Sequence, residues 1–127
     1  MSPLFLTLAE VIDLHRMGVE QFGGAAEARD MGLLQSALAM PSLQFSGEYL
    51  HGDLAAMAAA YLFHILKNHP FVDGNKRAGA MTARVFLLMN DVTFDPPEDE
   101  YGDLVLGVAA GEISKEQATE FFRKHVR

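Results

Sequence analysis

Apolar residues recur along this chain at the spacing of one helix face, and polar residues that cap helices stand between the apolar segments. The first segment follows Thr7 and Glu10, which have the form of a capping box, and it ends at the glycine pair 23–24. Asp30 can cap a second, shorter helix that runs to Pro41. The beginning of the chain therefore predicts two helices.

The two most apolar segments flank one short loop. Asp53 can cap a helix that runs to Asn68 and is apolar on nearly every face, which is typical of a helix at the centre of a bundle. Pro70 disfavours helix at the residue before it. A second apolar helix starts near Asn75 and runs to about Asn90. The pattern predicts two buried antiparallel helices joined by this loop.

The rest of the chain adds two loops and two helices. Residues 42–52 and 91–99 are rich in turn formers, prolines or acids and are predicted to be loops. A fifth helix covers roughly Glu100–Ala110. A second capping box, Ser114–Gln117, opens a last helix that runs to about His125.

These segments predict an all-α fold, a compact bundle of about six helices around two buried central helices. No segment is a convincing strand, since the three residues 92–94 could be extended but cannot form a sheet by themselves. Gly79 lies within a predicted helix, where glycine costs stability, and it therefore indicates close packing between helices.

Composition narrows the class of protein further. Half of the 127 residues are apolar, which is enough for a buried core, and the absence of cysteine excludes disulfides and thiolate zinc sites. Residues 1–8 lack the features of a signal peptide, and the most apolar window, Leu54–Leu66, is too short to cross a bilayer. We expect a cytoplasmic protein without membrane association.

The formal net charge of −7 disfavours direct binding of nucleic acid. Against this acidic background, the nine residues His69–Arg77 combine a His, an Asp, an Asn, a Lys and an Arg. They lie at the predicted N-terminus of a helix, where free backbone N–H groups and the helix dipole attract anions. Lys76 and Arg77 add positive charge, and Gly74 allows the backbone to approach a ligand closely. The segment is predicted to bind phosphate.

Other residues of this loop have the chemistry of phosphoryl transfer. Asp73 supplies a hard oxygen ligand for a magnesium ion that bridges phosphates. Asn75 can donate to a phosphate oxygen or orient the loop. An imidazole titrates near neutral pH, so His69 can accept the proton of an attacking hydroxyl. Phe71 is apolar and is expected to anchor the loop in the core.

Simpler interpretations of these residues stay open. His69 could be only the C-terminal cap of the preceding helix, and Asp73 could be the N-cap of the following one. Lys76 and Arg77 could be a solvated first turn, although cations are unfavourable at a helix N-terminus unless an anion binds there. The loop is unlike a Walker A motif, because it lacks the glycine five residues before Gly74 and the Ser or Thr after the lysine.

The loop resembles that of the Fic/Doc family, which is written H-x-F-x-D/E-G/A-N-G/K-R and has every fixed position filled here. The resemblance covers most of the chain and implies a single Fic/Doc-like domain over residues 1–127. Further segments similar to those of the Doc branch are residues 11–15, 22–24, 29–34 and 111–114.

The resemblance implies a role for each polar residue of the loop. His69 would be the catalytic base, Asp73 would bind magnesium, and Asn75 and Arg77 would hold the phosphates of ATP. Lys76 is typical of the Doc branch, whose members phosphorylate elongation factor Tu, arrest translation and are neutralised by a small antitoxin. We therefore predict an ATP- and magnesium-dependent kinase toxin that modifies a Thr or Ser hydroxyl, with a cognate antitoxin and a target such as elongation factor Tu as partners.

Two other functions stay open. Fic-type adenylyltransferases have glycine where this chain has Lys76 and transfer AMP, whereas an inactive relative would only bind an antitoxin. No glutamate in the chain precedes glycine or asparagine, so the self-inhibitory pattern of many Fic enzymes is absent and any inhibition must come from another chain. The apolar residues near Phe45, Tyr49 and Leu50 have no predicted place in the core and are a predicted surface for the antitoxin.

Polar residues outside the loop are given structural or surface roles. The histidines in this group are His15, His51, His64 and His125, and the other two residues are Arg29 and Asp30, which are predicted to form a cap and a surface pair.

Overall fold

Six helices and one short hairpin follow each other along the chain in the computed structural model, which describes residues 2–127. This architecture confirms the predicted all-α class. The elements are α1 Leu8–Phe22, α2 Met31–Ala39, β1 Gln44–Phe45, β2 Glu48–Tyr49, α3 Leu54–Asn68, α4 Asn75–Met89, α5 Glu98–Ala109 and α6 Lys115–His125.

The helices begin where the sequence supplies capping side chains. At α1 the Thr7 hydroxyl accepts from the backbone N–H of Glu10, and the Glu10 carboxylate accepts from the backbone N–H of Thr7. Ser114 and Gln117 form the same box at α6, and aspartates cap α2 and α3. These bonds satisfy N–H groups that the first helical turn leaves unpaired, which is why these helix starts were predictable.

The central element is α3, which packs against α2, α4, α5 and α6. Nine of its fifteen residues are buried, so it has almost no polar face, as predicted. The adjoining helix α4 approaches it closely at Gly79, where a Cβ atom would lie 3.2 Å from the Leu62 Cδ1 atom. The glycine within α4 therefore serves helix packing, and this prediction is confirmed. Within residues 2–127, no helix has both the length and the apolar content needed to cross a bilayer.

The loop predicted over residues 42–52 is wrong in one respect, because it contains an antiparallel hairpin. Its strands are joined by Ser46 and Gly47, whose φ angles of 52° and 81° suit a tight hairpin turn. Strands of two residues are too short to show an alternating pattern in the sequence. The hairpin pairs Gln44 with Tyr49 and Phe45 with Glu48.

The apolar residues of this hairpin region differ in exposure. Phe45 is 79% exposed and Leu50 is 59% exposed, in agreement with their predicted absence from the core. Tyr49 is half-buried and packs against Phe5, with ring centroids 5.8 Å apart. Only part of the predicted surface is therefore free.

The C-terminal half departs from prediction in small ways. Helix α5 begins at Glu98 rather than near Glu100. The segment 92–94 is extended as suggested, and it pairs with the end of the chain: Thr93 and Arg127 exchange two backbone hydrogen bonds of 3.2 and 3.0 Å. The two residues are far apart in sequence, so their pairing could not be anticipated from a local pattern.

Two histidines and a lysine form a polar contact that joins the hairpin region, α3 and α6. The Lys115 Nζ atom lies 3.2 Å from His51 Nε2 and 3.3 Å from His64 Nε2. Burial, followed by the charge of Lys115, lowers the pKa of His64 to about 4 and also lowers the pKa of His51. Both rings are therefore neutral near pH 7 and can accept from the ammonium group.

This contact predicts a loss of stability in mild acid. The pKa of His64 is about 4 in the folded protein and 6.5 in an unperturbed chain, so the unfolded state takes up its proton first as the pH falls. The stability that neutral His64 contributes to the folded protein is complete above pH 6.5 and is lost as the pH falls toward 4. His64→Gln keeps an acceptor that does not titrate. Urea unfolding at about pH 7 and about pH 5 should show a larger loss in the wild type than in this variant. Equal losses of unfolding free energy in the two proteins would show that His64 does not cause the loss of stability in acid.

Candidate functional site

The loop between α3 and α4 begins and ends with left-handed backbone. His69, the C-cap of α3, has φ 48° and ψ 57°, and Gly74, the N-cap of α4, has φ 79°. Residues other than glycine rarely adopt this conformation, so the neighbourhood of His69 must hold it there. His69 does occupy the C-cap position that was one of its two interpretations. Its side chain is exposed and leaves the ring free for chemistry.

Arg29 holds the backbone of His69. Its Nε donates to the His69 carbonyl at 2.8 Å, and its terminal nitrogen donates to the Asn68 carbonyl at 3.0 Å. The backbone N–H groups of Arg29 and Asp30 both donate to the Pro70 carbonyl, at 2.7 and 3.0 Å. Arg29 is therefore a cap, as predicted, but the helix that it caps is α3, about 40 residues away in sequence.

Phe71 anchors the loop, as predicted, and is 1% exposed. Asn75 lies beside it and is 5% exposed. The Asn75 Oδ1 accepts from the Phe71 N–H at 3.0 Å, and its Nδ2 donates to the Phe71 carbonyl at 2.9 Å. Of the two roles considered for the Asn75 side chain, this geometry supports orienting the loop. The backbone N–H groups of Asn75, Lys76 and Arg77 donate to no acceptor within residues 2–127.

His15 of α1 packs against the ring of Phe71. Its ring is parallel to that of Phe71, with the centroids 3.7 Å apart and an angle of 5° between the planes. Its Nε2 lies 2.6 Å from the Asp73 carbonyl oxygen. The predicted structural role of His15 is therefore correct, and its partner is the loop.

Asp73 is exposed and partly engaged. Its Oδ2 accepts from the Ala25 N–H at 3.1 Å, and no hydrogen bond to its Oδ1 occurs within the part of the chain that the structure describes. Interpreting Asp73 as the N-cap of α4 is wrong, because Gly74 holds that position without a side-chain cap. The Asp73 side chain turns instead toward Gly24, where a Cβ atom would lie 3.2 Å from the Asp73 Cβ.

Two neighbouring cavities lie along the loop and α4. The smaller, about 320 Å³, brings together most of the predicted site, and the larger, about 500 Å³, lies between α4 and α5. Lys76 lines both cavities, whereas Arg77 lines only the larger. The smaller cavity is lined by Leu66, His69, Val72, Asp73, Gly74, Asn75, Lys76 and Ala109.

Helix α1 holds Arg77 at the border of the site. The Arg77 guanidinium lies 4.5 Å from the centroid of the Phe22 ring, in a cation–π contact. A Cβ atom at Gly18 would lie 3.1 Å from the Arg77 Cδ, so the glycine makes room for the side chain. Neither Lys76 nor Arg77 forms an ion pair with an acid in residues 2–127. Two unpaired cations beside a helix N-terminus favour a bound anion.

The acidic residues present limit the kind of metal site that is possible. The described residues contain no group of three or more His, Cys, Asp and Glu that could hold a metal ion by itself. Asp73 offers one free carboxylate oxygen at the edge of the smaller cavity. Magnesium is commonly held by one or two carboxylates together with substrate phosphates and water. The donor set therefore fits a magnesium ion that binds together with phosphates.

Comparison with known proteins shows the family of this chain. The model of the Fic/DOC family matches residues 5–87, which include α1 to most of α4 and the whole loop. The chain belongs to the Fic/Doc family. It is 33% identical over 116 residues to "Protein kinase doc" of Escherichia phage P1, covering 91% of this chain and 90% of that protein. It is also 38% identical over 99 residues to "Toxin Doc" of Mycolicibacterium smegmatis, covering 76% of each. The resemblance to the Doc branch is thus confirmed.

The Fic/Doc loop of this chain depends on residues to which the sequence analysis gave no part in the site. His15, Gly18 and Phe22 are spaced by three and four residues and contact the loop or Arg77 from α1. That spacing, which places residues on one helix face, was the available signal. Arg29 gave no such signal, because its contact with His69 joins segments distant in sequence.

The contact between Asn75 and Phe71 predicts that Asn75→Ala lowers the stability of the protein even when no nucleotide is present. The change leaves the buried N–H and carbonyl of Phe71 without partners, so the free energy of unfolding should fall by about 1–3 kcal/mol. Lys76→Ala is the matched control: it is one residue away and exposed, so its effect should stay within about 0.5 kcal/mol. Urea unfolding measures both. Equal stabilities of Asn75→Ala and the wild type would show that the Asn75 side chain does not hold the loop.

Proposed function

We propose that this protein is a toxin that transfers the γ-phosphate of ATP to a Ser or Thr hydroxyl of a target protein and thereby blocks translation. The observation that carries the proposal is the smaller cavity, which combines an exposed imidazole and a helix N-terminus with a carboxylate oxygen and a lysine that have no partner within residues 2–127. The names of the two Doc relatives support both the kinase chemistry and the toxin role.

The N-terminus of α4 would bind the phosphates. Its first backbone N–H groups have no acceptor in residues 2–127, and Lys76 and Arg77 have no acidic partner there. Asp73 would hold a magnesium ion, which would offset the negative charge of the ATP phosphates. Because the Asn75 side chain is occupied by Phe71, its contribution to phosphate binding would come from its backbone N–H.

In the proposed reaction the target hydroxyl oxygen bonds to the γ-phosphorus, and the bond between this phosphorus and the oxygen that bridges to the β-phosphate breaks. The hydroxyl proton passes to a ring nitrogen of His69, and ADP leaves with the bridging oxygen. The exposed position of His69 in the lining of the cavity supports its role as the base of this step. Arg77 and Lys76 offset the charge that develops on the transferred group.

Lys76 supports phosphate transfer over AMP transfer. Lys76 lines both cavities and stands at the position where Fic-type adenylyltransferases have glycine. With a long cationic side chain there, the terminal phosphate, rather than the α-phosphate, would face the hydroxyl that His69 activates. Phosphoryl transfer depends mainly on such positioning and on charge stabilisation.

The proposed partners are a cognate antitoxin and a translation factor, with elongation factor Tu as the target that the resemblance to the Doc branch implies. The absence of a glutamate before glycine or asparagine supports control by another chain rather than by a segment of this one. The exposed side chains of Phe45 and Leu50 offer one surface for the antitoxin.

We expect His69→Ala to abolish growth arrest when the protein is expressed without its antitoxin. Removal of a general base lowers a transfer rate by about 10²–10⁴-fold. His69→Asn is the matched control for backbone strain, since asparagine tolerates the left-handed conformation, and it should be equally inactive with unchanged unfolding. His125→Ala, a histidine outside the site, should remain toxic. Growth arrest by a stably folded His69→Asn variant would remove His69 from the mechanism.

Labelled ATP distinguishes the two transfer reactions. With a target extract or purified elongation factor Tu, the wild type should transfer label from the γ-phosphate and none from the α-phosphate. Lys76→Gly should lose most γ-transfer, because the terminal phosphate loses a cation and its orientation. Transfer of α-label by the wild type would instead favour the adenylyltransferase. Transfer of neither label from a toxin that still binds antitoxin would favour an inactive binding module.

A further inference from the structure

We propose that His15 is a positioning residue for the transfer reaction, which orients the Asp73–Gly74 peptide so that the start of α4 presents its N–H groups to the cavity. The proposal rests on the proposed function for its activity measurement, whereas its structural measurement is independent of the reaction. His15 lies on α1 and is 3% exposed, so its ring is a buried polar group with a specific partner.

The hydrogen bond determines which ring nitrogen carries a proton. The His15 Nε2 lies 2.6 Å from the Asp73 carbonyl oxygen. A carbonyl oxygen can only accept, so Nε2 must carry a hydrogen and donate it. The ring cannot rotate away freely, because it is stacked on Phe71 at a centroid distance of 3.7 Å. His15 thus fixes one point of the loop backbone relative to the buried anchor.

The position of the Asp73 carbonyl determines the direction in which the next backbone N–H group points. The peptide between Asp73 and Gly74 is trans, and in a trans peptide the carbonyl and N–H point in opposite directions. Fastening the Asp73 oxygen to His15 therefore turns the Gly74 N–H away from α1. Gly74 lines the smaller cavity, and its N–H donates to no acceptor within the described residues. His15, a residue of α1, thereby orients the Gly74 N–H, which is the first N–H group of the proposed phosphate-binding turn.

A second contact, between His15 and Gly74, also helps to orient the Asp73–Gly74 peptide. A Cβ atom at Gly74 would lie 3.4 Å from the His15 Nε2, so the imidazole packs directly against the turn. The same face of α1 also contacts Arg77 through Gly18 and Phe22, three and seven residues after His15. One helix face therefore positions both the peptide at the start of α4 and a cation of the site.

Two variants separate the hydrogen bond from the ring stack. His15→Phe keeps an aromatic ring against Phe71 and loses the donor, whereas His15→Gln keeps an N–H donor and loses the stack. For His15→Phe we expect kcat for transfer of the γ-label to fall about tenfold or more, the effect of one lost hydrogen bond, with a smaller change in the KM for ATP. His15→Gln should recover kcat to within a few fold of the wild type.

The control for simple destabilisation is Val11→Ala, which removes buried volume from the same helix but no hydrogen bond of the loop. It should lower the free energy of unfolding and leave kcat unchanged at temperatures where it is folded. A loss of kcat in Val11→Ala equal to that in His15→Phe would overturn the proposal. An equal loss in His15→Phe and His15→Gln would also overturn it, because the donor would then be irrelevant.

The independent measurement is the amide resonance of Gly74 in the protein without nucleotide. His15→Phe should shift this resonance and lower the backbone order parameter of the same amide, because the Asp73–Gly74 peptide loses its fixed orientation, whereas His15→Gln and Val11→Ala should leave the order parameter near the wild-type value. If the wild type transfers no label from ATP, the proposed function fails while this amide measurement still tests His15. An unchanged Gly74 resonance and order parameter in His15→Phe would refute the positioning role, whatever the activity.

Discussion

The site depends first on the anchoring of Phe71 in the core. Its ring is buried against His15, and both of its backbone polar groups are paired with the Asn75 side chain. Burying the Phe71 backbone groups without such partners would cost free energy. The burial of Phe71 therefore requires its hydrogen bonds with Asn75. Together they make the chain turn within the few residues between α3 and α4, and they leave the neighbouring polar side chains at the surface.

The two helix ends at this loop are treated in opposite ways. The C-terminal end of α3 carries the negative end of its dipole, and Arg29 covers it with two hydrogen bonds. The N-terminal end of α4 carries the positive end, and Lys76 and Arg77 add charge to it without forming an ion pair with any acid in residues 2–127. A chain with a net charge of −7 thus presents two neighbouring cations at a helix N-terminus, an arrangement that suits a phosphate ligand.

The loop is held from outside as much as from within. From helix α1, His15 stacks on Phe71, Phe22 contacts Arg77, and Gly18 leaves room for the Arg77 side chain. The segment before α2 contributes Arg29. The conformation of His69, which glycine would adopt more easily, is maintained by the hydrogen bond from Arg29 to the His69 carbonyl. A residue that holds the active loop can therefore lie far from it in sequence and touch no reacting group.

The sequence by itself determined the starts of the four helices that side chains cap, the central place of α3, the close approach at Gly79 and the loop that carries His69 and Asp73, because capping, helical periodicity and a nine-residue motif are local patterns. It could not show that Asn75 pairs with Phe71, or that His15 and Arg29 hold the loop. It also missed the hairpin at residues 44–49, whose strands are too short for a period. Only the tertiary structure decided these features, since each depends on which distant surfaces pack together when α1, α2 and α4 assemble around α3.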